Sequence, residues 1–241
     1  MTGRTALVTG AVRGIGREIV AGLAARGVTT LLGARDADKG AQVAGELAAA
    51  GLPVSSLQLD VTDETSVSRA AATIAAGAGR LDILINNAGV LLDKAVLPSA
   101  LPLELMTATF NVNVFGVVRV TNALLPLLRR SDHAAVVNVS SAMGSLTLAT
   151  TPSWEWYGLL QAAYNSSKAA LNALTIQYAK ELAATAVTVN SVHPGVCATD
   201  LNGRIGTRPP QDGAAVIVEL ALRPAGGPSG GFYDEAGPLP W

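Results

Sequence analysis

The sequence predicts a single-domain α/β protein: a doubly wound parallel sheet of about seven strands, with helices on both faces. Three observations lead there. Short apolar runs alternate with longer alanine-rich segments of helical character, the pattern of βαβ units. The apolar runs are continuous rather than alternating, as strands covered on both faces require. Composition does not shift along the 241 residues, and no long Pro/Gly/Ser linker divides them. With 49% hydrophobic and 15% charged residues the chain can bury a substantial core, which excludes disorder.

The strands read in order as "TALVT" (5–9), "VTTLLGA" (28–34), "PVSSLQL" (53–59), "DILIN" (82–86), "AAVVNVS" (134–140) and "AVTVNSV" (186–192). Between them, 14–26, 38–50, 64–77, 100–130 and 160–184 read as helices, the fourth broken near Phe110 and Asn111. Right-handed crossovers wind such units into one sheet. A further helix opens near Pro209 or Pro210, because proline suits the first helical turn. "GFY" in the Gly/Pro-rich "GGPSGGFYDEAGPLPW" reads as a short last strand.

Charge and cysteine usage exclude several classes. Net charge is −1, from 17 basic and 18 acidic residues without a long basic block, so neither nucleic acid nor an anionic membrane is an expected partner. "MTGRTALVTG" runs straight into an apolar strand and is too short for a signal peptide, and no uncharged apolar stretch reaches membrane-spanning length. Cys197 is the only cysteine, which makes a reducing cytoplasm the expected compartment. His133 and His193 lie far apart with no His/Cys cluster around either, so no metal site is expected.

Directly after the first strand comes "TGAVRGIGREI", with Gly10, Gly14 and Gly16, and with Arg13 and Ile15 between them. Glycines there allow a tight turn and point amides at a phosphate above a helix N-terminus; the pyrophosphate of a dinucleotide is the natural guest. The plainer alternative is a strand-to-helix turn with no ligand. At the end of the second strand, "LLGARD" puts Ala34 where an acid would favour a free ribose 2′-hydroxyl, and then Arg35. Arginine forks suit a 2′-phosphate, and Arg13 lies within the same turn region, so NADP(H) is favoured over NAD(H). Alternatively, Arg35 merely pairs with Asp36 or Asp38 in solvent. Asp60, followed by Val61 at the end of the third strand, either accepts the adenine amino group or caps the helix beginning near Asp63.

"YGLLQAAYNSSKAAL" (157–171) holds two tyrosines and one lysine. Tyr157 has Gln161 four places on, whereas Tyr164 has Lys168, one helical turn away on the same face. A free phenol has a pKa of about 10, and a neighbouring ammonium stabilises the phenolate and lowers that value. Tyr164 would then give a proton to a carbonyl oxygen or take one from an alcohol. Such pairs also occur with no function on amphipathic helices.

Six motifs in order make the chain resemble the short-chain dehydrogenase/reductase family nearly end to end. "TGAVRGIG" matches its TGxxxGxG turn and "NNAG" (86–89) its strand-four motif. "NVNVFG" places Asn113, "VVNVSS" places Ser141, "YNSSK" places Tyr164 and Lys168, and "HPGVCATD" is similar to the segment that clasps the nicotinamide. The resemblance implies a Rossmann-type domain. Ser141 would hold the substrate oxygen against Tyr164, Lys168 would bind the nicotinamide ribose, and Asn113 would hold a proton-relay water. Asn87, Ala88 and Gly89 would line the adenosine-ribose side, and Pro194, Val196 and Thr199 would approach the nicotinamide. Ser140, the competing serine, faces the opposite side of its strand.

Ser141 and Tyr164 are further apart than is usual in that family, which implies an insertion at about 145–161. This resembles the NADPH-dependent carbonyl reductases, some of which carry an insertion there and are monomers. Trp154 and Trp156, inside it, either wall an apolar substrate pocket or anchor the insertion to the body. The implied protein reduces a small or medium apolar ketone or aldehyde, reversibly, as a monomer or dimer, the insertion obstructing the usual tetramer. Rival readings are an NAD-dependent alcohol dehydrogenase of the same fold and a nucleotide-sensing protein without turnover.

Overall fold

A computed structural model describes residues 3–241. Among these residues one eight-stranded sheet runs in the order β3-β2-β1-β4-β5-β6-β7-β8. The strands are β1 Thr5–Val8, β2 Thr29–Ala34, β3 Val54–Gln58, β4 Ile83–Asn86, β5 Ala134–Val139, β6 Val187–Val192, β7 Phe232–Asp234 and β8 Gly237–Pro238. Pairing is parallel from β3 through β7. The eighth strand corrects the expected seven: β8 turns back antiparallel on β7, with Tyr233 opposite Pro238.

The continuous apolar runs serve two cores. Ala6, Val8, Ile83, Ile85, Val137 and Val139 face helices α1 (Gly14–Ala24), α2 (Ala37–Ala49) and α8 (Pro210–Ala221). Leu7, Leu84 and Val136, one residue out of phase, face α3 (Glu64–Gly77), α5 (Gly116–Leu128) and α7 (Ala162–Glu181). Central strands such as β1 and β4 are therefore apolar on both faces over most of their length. Burying one such Leu, Ile or Val contributes about 1.5–3 kcal/mol.

Local signals place the helices within three residues of the sequence reading. Asp36 accepts from Lys39 N to start α2, and Asp63 accepts from Thr65 N to start α3. The fourth helix does not break. Its first part, α4 (Leu103–Phe110), passes through a π turn over Asn111–Phe115 into α5 without leaving a helical path. The combined Leu103–Leu128 is long and apolar enough to cross a membrane, which the sequence reading did not expect, although it contains Glu104 and Arg119 and half of its most apolar stretch is buried in the protein. A single-turn helix, α6 (Leu146–Ala149), follows β5.

β1 lies between β2 and β4, and α1, which leaves β1, and α3, which leads into β4, pack on opposite faces of the sheet. In such a sheet a crevice lies at the carboxyl ends of these strands. The candidate residues gather along that rim.

Candidate active site

The glycine turn forms one wall. Gly10 and Gly14 have φ of +63° and +56°, which L side chains rarely adopt. A Cβ on Gly16 would lie 2.6 Å from Asn87 Nδ2, so only glycine lets α1 approach the segment after β4 this closely. Thr9, which sequence reasoning passed over, fastens the two together. Its hydroxyl accepts from Asn87 N (3.0 Å) and Ala88 N (2.9 Å), while Asn87 Nδ2 donates to Thr9 O at 2.9 Å. Unlike α2 and α3, α1 has no side-chain cap, so its first amides face the cleft without an acceptor from that source. Ile15 is half-buried against the core below.

Across the cleft, Thr199 Cγ2 lies 3.5 Å from where a Cβ of Gly14 would be. Arg13 reaches the same segment, pairing with Asp200 at 3.1 Å, and Arg204 pairs with the other Asp200 oxygen at 3.1 Å. Thr199 and Asn202 form a reciprocal capping box on this turn. Pro194 is buried, Gly195 takes a φ of +78°, and Val196 is half-buried.

Arg35 is exposed at the end of β2, and among the described residues its guanidinium is in no ion pair. Asp36 pairs with Lys39 instead, at 3.4 Å. Asp60 does not cap α3. Its Oδ1 accepts from Thr62 N and Thr62 Oγ at 2.9 and 2.7 Å, holding the turn after β3, and Val61 packs where a Cβ of Gly116 would be only 2.9 Å away.

Deeper in the cleft, Ser141 caps the short turn after β5, near enough to Tyr164 to ease the loss of its hydroxyl proton. Lys168 Nζ lies 5.6 Å from the centroid of the Tyr164 ring and donates to Val139 O at 2.8 Å. Gly144 permits this closeness, because a Cβ there would be 2.6 Å from the Lys168 carbonyl carbon. Lys168 is almost fully buried, and burial pulls its amine down to about 8. Burial pushes the Tyr164 phenol up to about 12, with the nearby Ser141 side chain drawing it partly back. This runs opposite to the expected lowering: loss of water around the hydroxyl is the dominant cause.

Asn113 lies in the π turn and is fully buried. Its Oδ1 accepts from Val90 N at 2.8 Å, while Nδ2 donates to Val90 O at 2.9 Å and Ser167 Oγ at 3.0 Å. The side chain thus ties the loop after β4 to α7. Gly89 sits between these groups, with Asn113 Oδ1 and Lys168 Nζ 3.5 and 3.7 Å from its would-be Cβ. Ser140 donates to Asn172 Oδ1 at 2.7 Å, inside the protein. A buried chain missed in the sequence underlies the site: Asn86 Nδ2 donates to Asn138 Oδ1, Asn138 Nδ2 to Thr175 Oγ, and Thr175 meets Ser191. Polar residues inside otherwise apolar strands were its only signal.

Trp154 and Trp156 are the two least exposed residues of 152–160, in a succession of turns without regular structure. Tyr157, Leu159 and Leu160 beside them are exposed. Among the described residues, the three or more His, Cys, Asp or Glu side chains that a metal ion needs do not come together anywhere.

Residues 4–209 match the family model described as short chain dehydrogenase. A curated relative, short-chain dehydrogenase/reductase 1 of Saponaria officinalis, is 37% identical over 95% of this chain and 93% of its own. The structure of salutaridine reductase from Papaver somniferum superposes with a TM-score of 0.84 at 32% identity, covering 95% of this chain and 99% of that one. An NADPH-bound carbonyl reductase from chicken fatty liver superposes with a TM-score of 0.86 at 26% identity, over the full length of both chains.

Proposed function

The chain belongs to the short-chain dehydrogenase family, and on that premise we propose that it is an NADPH-dependent carbonyl reductase. Its substrates are small or medium apolar ketones and aldehydes, and it catalyses the reverse alcohol oxidation as well. The observation that carries this reading is the Ser141–Tyr164–Lys168 cluster: a serine hydroxyl near the phenol and an amine one helical turn behind it, deep in the cleft.

The cofactor assignment rests on how the cleft is built. The uncapped first turn of α1, with Gly10 and Gly14 in left-handed conformations, suits a pyrophosphate. The exposed guanidinium of Arg35, in no ion pair among the described residues, suits a ribose 2′-phosphate. Asp60, Val61 and the Asn87–Gly89 segment would flank the adenosine. Pro194, Val196 and Thr199 would approach the nicotinamide, and Lys168 its ribose. When bound, NADPH supplies the hydride. Both similarities, to a reductase and to an NADPH-bound carbonyl reductase, point the same way.

Tyr164 then acts as the acid. With its value pushed up to about 12, the hydroxyl holds its proton at neutral pH and can donate it as charge develops on the carbonyl oxygen. Ser141 donates to the same oxygen and fixes its position. Lys168, at about 8, is still mainly an ammonium at pH 7 and resupplies positive charge beside the emptied phenol. Apolar Leu159, Leu160 and the two tryptophans of the insertion border the substrate. The whole is a single cytoplasmic domain working as a monomer or dimer.

Tyr164→Phe tests the reading. Assayed with NADPH against ketones, aldehydes and quinones, it is expected to lose roughly 10²- to 10⁴-fold in kcat, with NADPH affinity nearly unchanged. Full turnover by the variant would end this proposal.

A further inference from the structure

Asp93 lies in the irregular stretch after β4, between exposed Leu92 and exposed Lys94, yet is itself completely buried. Its Oδ2 accepts from Ala163 N at 2.7 Å, across 70 residues of sequence. Ala163 is the second residue of α7, immediately before Tyr164. This bond is the more telling because α7 is otherwise poorly started. Gln161 makes no side-chain cap, and the first turn holds no acidic residue. A helix leaves its first amides without internal partners, and a fully buried amide left so is costly.

The same loop grips α7 a second time. Val90 exchanges two hydrogen bonds with Asn113, and Asn113 donates to Ser167 Oγ at 3.0 Å. Ala163 and Ser167 bracket Tyr164 on the helix, so the loop holds the turn that carries the phenol from both ends. We propose that Asp93 is a positioning residue for Tyr164. By capping α7 from outside the helix, it sets the height and rotation of the first turn, and hence the distance from the phenol to Ser141. An ordinary stability cap would hold the helix without caring where the hydroxyl points. The inference rests on the reductase reading above.

Asn is the discriminating replacement. Oδ1 of Asp93 makes no hydrogen bond; an amide nitrogen in its place breaks none, while the remaining oxygen still accepts from Ala163 N. Asp93→Ala removes the acceptor altogether. Misplacement of a reacting group by about 1 Å can reduce rate by ~10²-fold. For Asp93→Ala, kcat with NADPH is therefore expected to drop by ~10- to 100-fold, while both KM values stay within about threefold. Circular dichroism establishes that the variant is folded at the assay temperature. For Asp93→Asn, kcat is expected within about threefold of wild type.

Folded Asp93→Ala with wild-type kcat overturns the proposal, as does a loss confined to KM. Should Asp93→Ala fail to fold, Asp93→Glu, which keeps the acceptor but displaces it, decides instead. A tenfold or greater loss of kcat in folded protein, with both KM values within about threefold, supports the positioning role, and wild-type kcat overturns it. A wild type that turns over no carbonyl with NADPH removes the underlying reading, and this inference with it. A wild type that turns over substrate, beside an equally active Asp93→Ala, removes only this inference.

Discussion

Lys168 keeps its charge against its surroundings. The amine lowered to about 8 binds its proton less tightly in the fold than in the unfolded chain. Stability is therefore penalised fully below about 8, and the penalty lifts as pH rises toward the ordinary lysine value near 10.5. Lys168→Met has no such term. Relative to wild type it should be best placed at pH 7 and lose ground steadily towards pH 10, which thermal midpoints at the two pH values will show. Tyr164, displaced in the opposite direction, is present in both proteins and largely cancels from the comparison. Arg35 offers a second measurement. A hydrogen bond to a charged group contributes about 1.5–3 kcal/mol, so Arg35→Asp should weaken NADPH binding by roughly 10- to 100-fold. The same change should improve NADH binding, and unchanged selectivity in a titration with both nucleotides would contradict the assignment. The tyrosine, lysine and glycines were legible because their spacing is local. The Asp200 that engages Arg13 and the Asp93 that engages Ala163 were not, since only the folded chain brings them together. Nor was the direction of the Tyr164 shift, because water exclusion depends on what packs around the hydroxyl.

Helix α7 shows where pattern reading weakens at the level of elements. Its buried face contains Ser167, Lys168, Asn172 and Thr175 beside Ala163 and Leu171, so polar residues occupy positions that an ordinary amphipathic helix gives to apolar ones. It was found through its motif and length rather than its periodicity. The π turn over Asn111–Phe115 was sensed only as an irregularity near Phe110 and Asn111, because one residue more than an α turn requires leaves no mark on composition. Close packing of α7 on the turn after β5 depends on Gly144, with the Lys168 backbone 2.6 Å from a would-be Cβ. Gly144→Ala must push backbone against backbone. It should destabilise the protein by about 1–3 kcal/mol in urea denaturation and reduce turnover by displacing Lys168. A variant as stable and active as wild type would show that α7 can retreat without consequence.

Seen whole, the sheet was legible wherever strands are long and doubly covered, since most positions are then apolar. It was missed at β8, whose two residues, Gly237 and Pro238, cannot carry a period. The limits of the sheet matter for how copies of this protein meet. At one border β3 shows solvent Ser55, Ser56 and Gln58, and at the other β8 is a two-residue stub containing a proline that lacks an amide hydrogen. Neither margin is a good template for a newcomer's strand. Concentrated solutions should accordingly resist fibril-like stacking, and any pairing seen by light scattering should survive charge substitutions at Ser55 or Gln58 while yielding to those on exposed helices. Short, interrupted borders of this kind let a broad parallel sheet remain a bounded object rather than the first layer of a larger one.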